Sequence, residues 1–84
     1  MDLKRSEQCR KIILQVSETP GKPIQSIVKD ICSYDWGFKL VKRMVFEDFL
    51  VLTRSNGRSH AVWLTKKGTL TVNLIKSLSE VGLI

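Results

Sequence analysis

Apolar positions near the start of the chain recur at helical spacing. Cys9, Ile12, Ile13 and Val16 fall at i, i+3, i+4 and i+7, with Arg10, Lys11 and Gln15 off the stripe. The pattern predicts a first helix with one buried side, which Ser6 is placed to cap. Thr19-Pro20-Gly21-Lys22-Pro23 ends it, because Pro20 lacks an N–H and pushes the residue before it out of helical geometry. Pro23 suits the start of a second helix of about nine residues, in which Ile24, Ile27, Val28 and Ile31 share a face with Cys32 beside them. Ser33-Tyr34-Asp35 makes a three-residue turn, and both Ser33 and Asp35 are able to cap a helix beginning there. A third helix is predicted from about Asp35 to Asp48. Its stripe is Phe38, Val41 and Val45, reaching Phe49, and Lys39, Lys42 and Arg43 lie off it. Trp36, Leu40 and Met44 form a separate apolar face on the same helix.

After Asp48 the period changes. Phe49-Leu50-Val51-Leu52-Thr53 and Ala61-Val62-Trp63-Leu64-Thr65 are β-rich runs on either side of Arg54-Ser55-Asn56-Gly57-Arg58-Ser59-His60, and Asn-Gly between two such runs is a strong hairpin signal. Thr65 then caps a last helix from about Lys66, with Leu70, Leu74, Leu78 and Val81 as its stripe and Gly68 weakening its first turn. No repeat, linker or low-complexity tract interrupts residues 1–84, which are read as a single domain.

Two helices, a three-residue turn, a third helix, a hairpin and a last helix give an α+β, mainly α architecture. This is the order of a winged helix-turn-helix, with a three-helix core, a two-stranded basic hairpin as wing and a C-terminal helix. The distribution of charge supports that reading. Lys and Arg number 14 against 8 Asp and Glu, and five of the six net positive charges lie between Lys39 and Lys67. An isoelectric point of about 9.7 is in the range of nucleic-acid binders. The longest apolar run is Phe49-Leu50-Val51-Leu52, far below a membrane span, and Met1-Asp2-Leu3-Lys4-Arg5 lacks a signal-peptide core. The expected setting is cytoplasmic, near the nucleoid, with no membrane.

The sequence also resembles small winged-helix transcription regulators of the MarR and PadR kind, including archaeal and viral or mobile-element types. The resemblance runs over about residues 9 to 81 and rests on three segments. The apolar positions Ile27, Ile31, Phe38, Val41, Val45, Leu50 and Val51 follow the family pattern. Arg54-Ser55-Asn56-Gly57-Arg58-Ser59 is similar to the family's basic wing, and Trp63-Leu64-Thr65-Lys66-Lys67-Gly68 to its Leu-Thr-x-x-Gly join into the last helix. The resemblance implies double-stranded DNA as partner and a homodimer formed through terminal helices, which suits a palindromic site.

In this reading Arg43 is a base reader, because its fork matches the two acceptors of guanine, and Lys39 and Lys42 bind phosphates. Trp36 and Leu40 on the same helix are further expected DNA contacts, apolar side chains able to touch thymine methyls. Arg54, Asn56, Arg58 and His60 form the wing that reaches the backbone or a narrow minor groove, and Lys66 adds charge beside it. Apolar residues in the termini, Leu3, Leu74, Ile75, Leu78, Val81, Leu83 and Ile84, exceed what one small core absorbs and are the expected dimer surface. Two alternatives stand. The face of Trp36, Leu40 and Met44 would bind a protein partner in an interaction module, or the chain would compact DNA without sequence preference. Cys9 and Cys32 fall on apolar stripes as small hydrophobes, and with a single histidine no metal spacing exists. The carboxylates are scattered, His60 has no partner placed by sequence, and the glycines form no phosphate loop. No enzyme activity, metal or cofactor is expected.

Overall fold

The computed structural model describes residues 3–55 and 59–83. Helix α1 spans Leu3–Glu18, so Ser6 lies inside the helix and does not cap it. It buries Ile12, Ile13 and Val16, as the spacing predicts. The helix stops at Pro20, and Gly21 turns the chain with a positive φ of 82°. Lys22–Pro23 then form a short strand, β1, that the sequence reading did not anticipate. Proline is tolerated there because β1 is an edge strand.

The second helix, α2, covers Ile24–Val28 and is five residues long, shorter than the nine expected. Ile24, Ile27 and Val28 are buried, whereas Ile31 is half-buried beyond the end of the helix. Helix α3 spans Tyr34–Phe46. Ser33 caps it, its Oγ accepting from the Trp36 N–H at 3.4 Å, while Asp35 sits in the first turn, where its charge complements the helix dipole.

The buried side of α3 is Gly37, Leu40, Val41 and Met44. This corrects the expected stripe: Phe38 and Val45 are half-buried at its margins, and Leu40 and Met44, 1% and 6% exposed, are core residues. Gly37 explains the phase, because a Cβ there would sit 2.7 Å from the Val28 side chain. The helix turns its smallest residue toward α2 and brings its neighbours inward with it.

The end of α3 is a Schellman turn. The Phe49 N–H donates to the Met44 carbonyl at 2.9 Å and the Asp48 N–H to the Val45 carbonyl at 3.0 Å, with Asp48 left-handed at φ 69°. Strands β2 (Leu50–Ser55) and β3 (Ser59–Leu64) form the hairpin, and β1 adds to the free side of β3, so the sheet has three antiparallel strands in the order β1-β3-β2. Leu50, Leu52, Val62 and Leu64 face the helices. Val51, Thr53 and Trp63 face outward, and the Trp63 indole N–H donates to Thr53 Oγ1 at 2.8 Å.

Helix α4 covers Lys66–Glu80. Its core side is Gly68 and Val72 with Ile75 half-buried, and of the expected stripe Leu70, Leu74 and Val81 are exposed while Leu78 is half-buried. One core results, built from α1, α2, α3, the inner sheet face and Val72.

Candidate nucleic-acid interface

Successive helical residues advance by about 100°, so the side of α3 opposite Gly37, Leu40, Val41 and Met44 is fixed by arithmetic. It carries Asp35, Lys39, Lys42 and Phe46 along its middle, with Arg43 on one flank and Phe38 on the other. The residues of the middle line are exposed, and so is Arg43. The core therefore orients the lysines outward, since four buried residues hold the helix by its other side.

Two contacts order this surface. Arg43 Nε donates to Glu47 Oε1 at 3.0 Å, one turn on, a bond that uses neither terminal amino group of the guanidinium. More than half of the Arg43 side chain is solvated, so the pair shapes the side chain more than it stabilises the fold. Lys42 Nζ lies 5.5 Å from the centroid of the Phe38 ring, which in turn is 6.1 Å from that of Tyr34. At the start of the helix the Trp36 indole N–H donates to Gln8 Oε1 of α1 at 2.6 Å.

The end of α3, the hairpin and α4 are locked together at one point. Thr65 Oγ1 accepts from the Gly68 N–H at 3.0 Å and donates back to the carbonyls of Asp48 and Phe49. Lys67 Nζ donates to the Glu47 carbonyl at 2.9 Å and stands 4.4 Å from the centroid of the Phe49 ring. A Cβ on Gly68 would lie 2.1 Å from the Phe49 carbonyl oxygen. The Leu-Thr-x-x-Gly join is thus a clamp: threonine caps and ties, and glycine permits the contact. It fixes where the hairpin leaves the helix.

Arg54 and His60 are directly opposite each other near the far end of the hairpin, both exposed. By strand alternation they share the face of Leu52 and Val62. Lys66 is exposed in the first turn of α4. Asn56 and Arg58, expected at the wing tip, lie outside the described residues, as does Ile84 of the expected dimer surface.

Leu40, an expected DNA contact, is in the core, out of reach of a duplex or a protein partner. Met44 leaves the proposed partner face for the same reason, and Trp36 remains half-covered, tied to Gln8. Phe46 was missed by the sequence reading although it is 85% exposed. Its signal was its spacing, seven residues after Lys39 and four after Lys42. Cys9 and Cys32 are half-buried and pack against the core, and burial raises the pKa of the Cys32 thiol above its usual value. Among the described residues no cluster of His, Cys, Asp and Glu has the makings of a metal site, and no helix is long and apolar enough to cross a membrane.

Neither a family model nor a curated protein sequence matches the chain. Solved structures do. A MarR-family transcription regulator superposes with a TM-score of 0.83 at 19% identity, over 90% of this chain and 52% of its own. The transcriptional repressor CouR, solved bound to a 23-mer DNA duplex, gives 0.77 at 25% identity over 82% of this chain and 51% of its own. AF1382 from Archaeoglobus fulgidus gives 0.75 at 20% identity over 96% and 89%. The chain spans about half the length of the first two. These likenesses make the fold that of the MarR-type winged-helix regulators.

Proposed function

We propose that the chain is a DNA-binding transcription regulator that reads the major groove with α3 and acts as a homodimer. The observation that carries this reading is the outward side of α3, where Lys39, Lys42 and Arg43 are all exposed on a helix whose other side is core. Lys39 and Lys42 contact phosphates. Arg43 offers its two terminal amino groups to guanine O6 and N7, with Glu47 holding the Nε side.

Arg54 and His60 on the hairpin approach the adjacent backbone or minor groove, Lys66 adds a phosphate contact, and Asn56 and Arg58, outside the described residues, are further expected contacts. The duplex in the CouR structure supports double-stranded DNA as the partner class. Leu70, Leu74, Val81 and Leu83 are 61 to 71% exposed along and just beyond α4, an apolar strip that a second copy covers in an isologous interface.

Titration of the protein against mixed-sequence duplex DNA at low and near-physiological salt, with the mass in solution measured alongside, tests the reading. Binding by a dimer is expected, its log affinity falling by about 0.9 per neutralised phosphate for each decade of salt. Alanine at Lys39 or Lys42 lowers that slope by about 1. Absence of binding at low salt overturns the reading. Equal affinity for all duplexes, with Arg43→Ala weakening each alike, points to non-specific compaction. The interaction-module alternative loses its basis, because two of its three residues are buried.

A further inference from the structure

Phe46 is the most exposed large apolar side chain among the described residues, and it occupies the middle of the side of α3 that carries the lysines. The core does not account for it: Gly37, Leu40, Val41 and Met44 complete the buried side, and Phe46 points the opposite way. Single exposed apolar residues are common on protein surfaces, so exposure alone decides nothing. Its position does. Phe46 follows Lys39 and Lys42 at spacings of seven and four and stands one turn on from Arg43, so when Arg43 reads base edges the ring beside it faces the same groove.

We propose that Phe46 is a specificity-determining residue that packs against the 5-methyl group of a thymine in the major groove. The proposal rests on the DNA-binding reading above. A phenyl ring has no donor or acceptor to match the polar pattern of the base pairs, and the thymine methyl is the apolar feature that groove presents. The charge balance around the ring selects the same occupant: Lys39, Lys42 and Arg43 outnumber Glu47 and Asp48, with Glu47 already paired to Arg43, and the surplus suits a polyanion better than another basic chain of this kind. Arg43 and Phe46 lie three residues apart and so face neighbouring positions. The recognised site thus contains a guanine and a thymine within a few base pairs of each other.

The test uses the full chain and a duplex selected from a random pool by the wild-type protein. Each thymine of that duplex is replaced in turn by deoxyuridine, which removes the methyl group and leaves base pairing intact. The wild type loses about fourfold in affinity at one position per half-site, the worth of one buried methyl. Phe46→Ala binds the thymine and uracil duplexes equally at that position, whereas Lys42→Ala retains the wild-type ratio. Thermal melts show Phe46→Ala to be folded, as its exposure implies. Wild-type binding that is indifferent to uracil everywhere, or a Phe46→Ala protein that keeps the fourfold loss, overturns the assignment while leaving DNA binding intact. Failure to bind any duplex at low salt overturns both, and Phe46 is then a contact for another protein.

Discussion

Replacing Gly68 with alanine sets two well-known effects against each other. Alanine is the better helix former by about 0.8 to 1.0 kcal/mol, and on sequence grounds the change strengthens the first turn of α4. The structure reverses that sign. The new Cβ would lie 2.1 Å from the Phe49 carbonyl oxygen, a backbone atom held by the β2 start and by Thr65, so the helix has to withdraw. Carbon and its neighbours pack at about 3.5 to 4.0 Å, which requires a shift of more than 1 Å. Such a shift strains or breaks the Thr65 bonds to Phe49, the Lys67 bond to the Glu47 carbonyl and the packing of Leu64 against Gly68.

At about 1 kcal/mol for each hydrogen bond, three lost bonds outweigh the gain in propensity and leave a net loss of about 2 kcal/mol. For a domain of this size that is a fall in Tm of about 8 to 16 °C. Circular dichroism melts and urea titrations of Gly68→Ala and of Asn73→Ala, an exposed α4 position, provide the measurement and its control. Asn73→Ala is expected to match or slightly exceed the wild type. A Gly68→Ala protein as stable as the wild type would show that the join is not a clamp.

Leu40→Ser, which would probe a surface if Leu40 were exposed, instead opens the core and costs at least the 2 to 5 kcal/mol of a buried leucine truncation; urea unfolding shows the midpoint collapse. Asp48→Gly relieves a left-handed backbone at the Schellman turn and raises stability by about 0.5 to 1 kcal/mol, seen as a higher Tm. The Cys32 thiol, whose pKa is raised by burial, carries less thiolate at neutral pH than a solvated cysteine and therefore alkylates more slowly there. Its rate rises with pH into the alkaline range, and rapid modification of Cys32 at pH 7 contradicts this.

The element order was legible because it is written in local chemistry: Pro20 stops a helix, Ser33 and Thr65 start two others, and Asn56-Gly57 separates two β-rich runs. The phase of two helices was not, and the reason is the same in both. Counting large apolar side chains favours Phe38 and Val45 in α3 and Leu70, Leu74 and Val81 in α4. The sides that pack are instead marked by Gly37 and Gly68, which contribute no hydrophobicity but let backbones meet. Once α3 is rotated to put Gly37 inward, Leu40 and Met44 leave the candidate site and Phe46 joins it. Strand β1 was illegible for a different reason, being two residues long with one of them proline. The cationic residues of α3 were found correctly as surface positions, since burial of an unpaired lysine is prohibitive whatever the phase.

The pairing of Lys22 with Val62 and of Pro23 with Ala61, reinforced by the Gly21 N–H to the Val62 carbonyl, closes a loop of roughly 40 residues. Helices α2 and α3 and strand β2 all lie within it, and they are held besides by the core they share with α1 and β3 and by the Trp36 bond to Gln8. The entropy released by opening a loop depends only weakly on its length, so little is lost by holding so much chain at so small a base. The β1–β3 pairing therefore opens together with the core that α1, α2, α3 and the sheet share, in one cooperative step. The amide of Gly21 and those of α3 then exchange with solvent at a common free energy, as parts of a single unfolding unit.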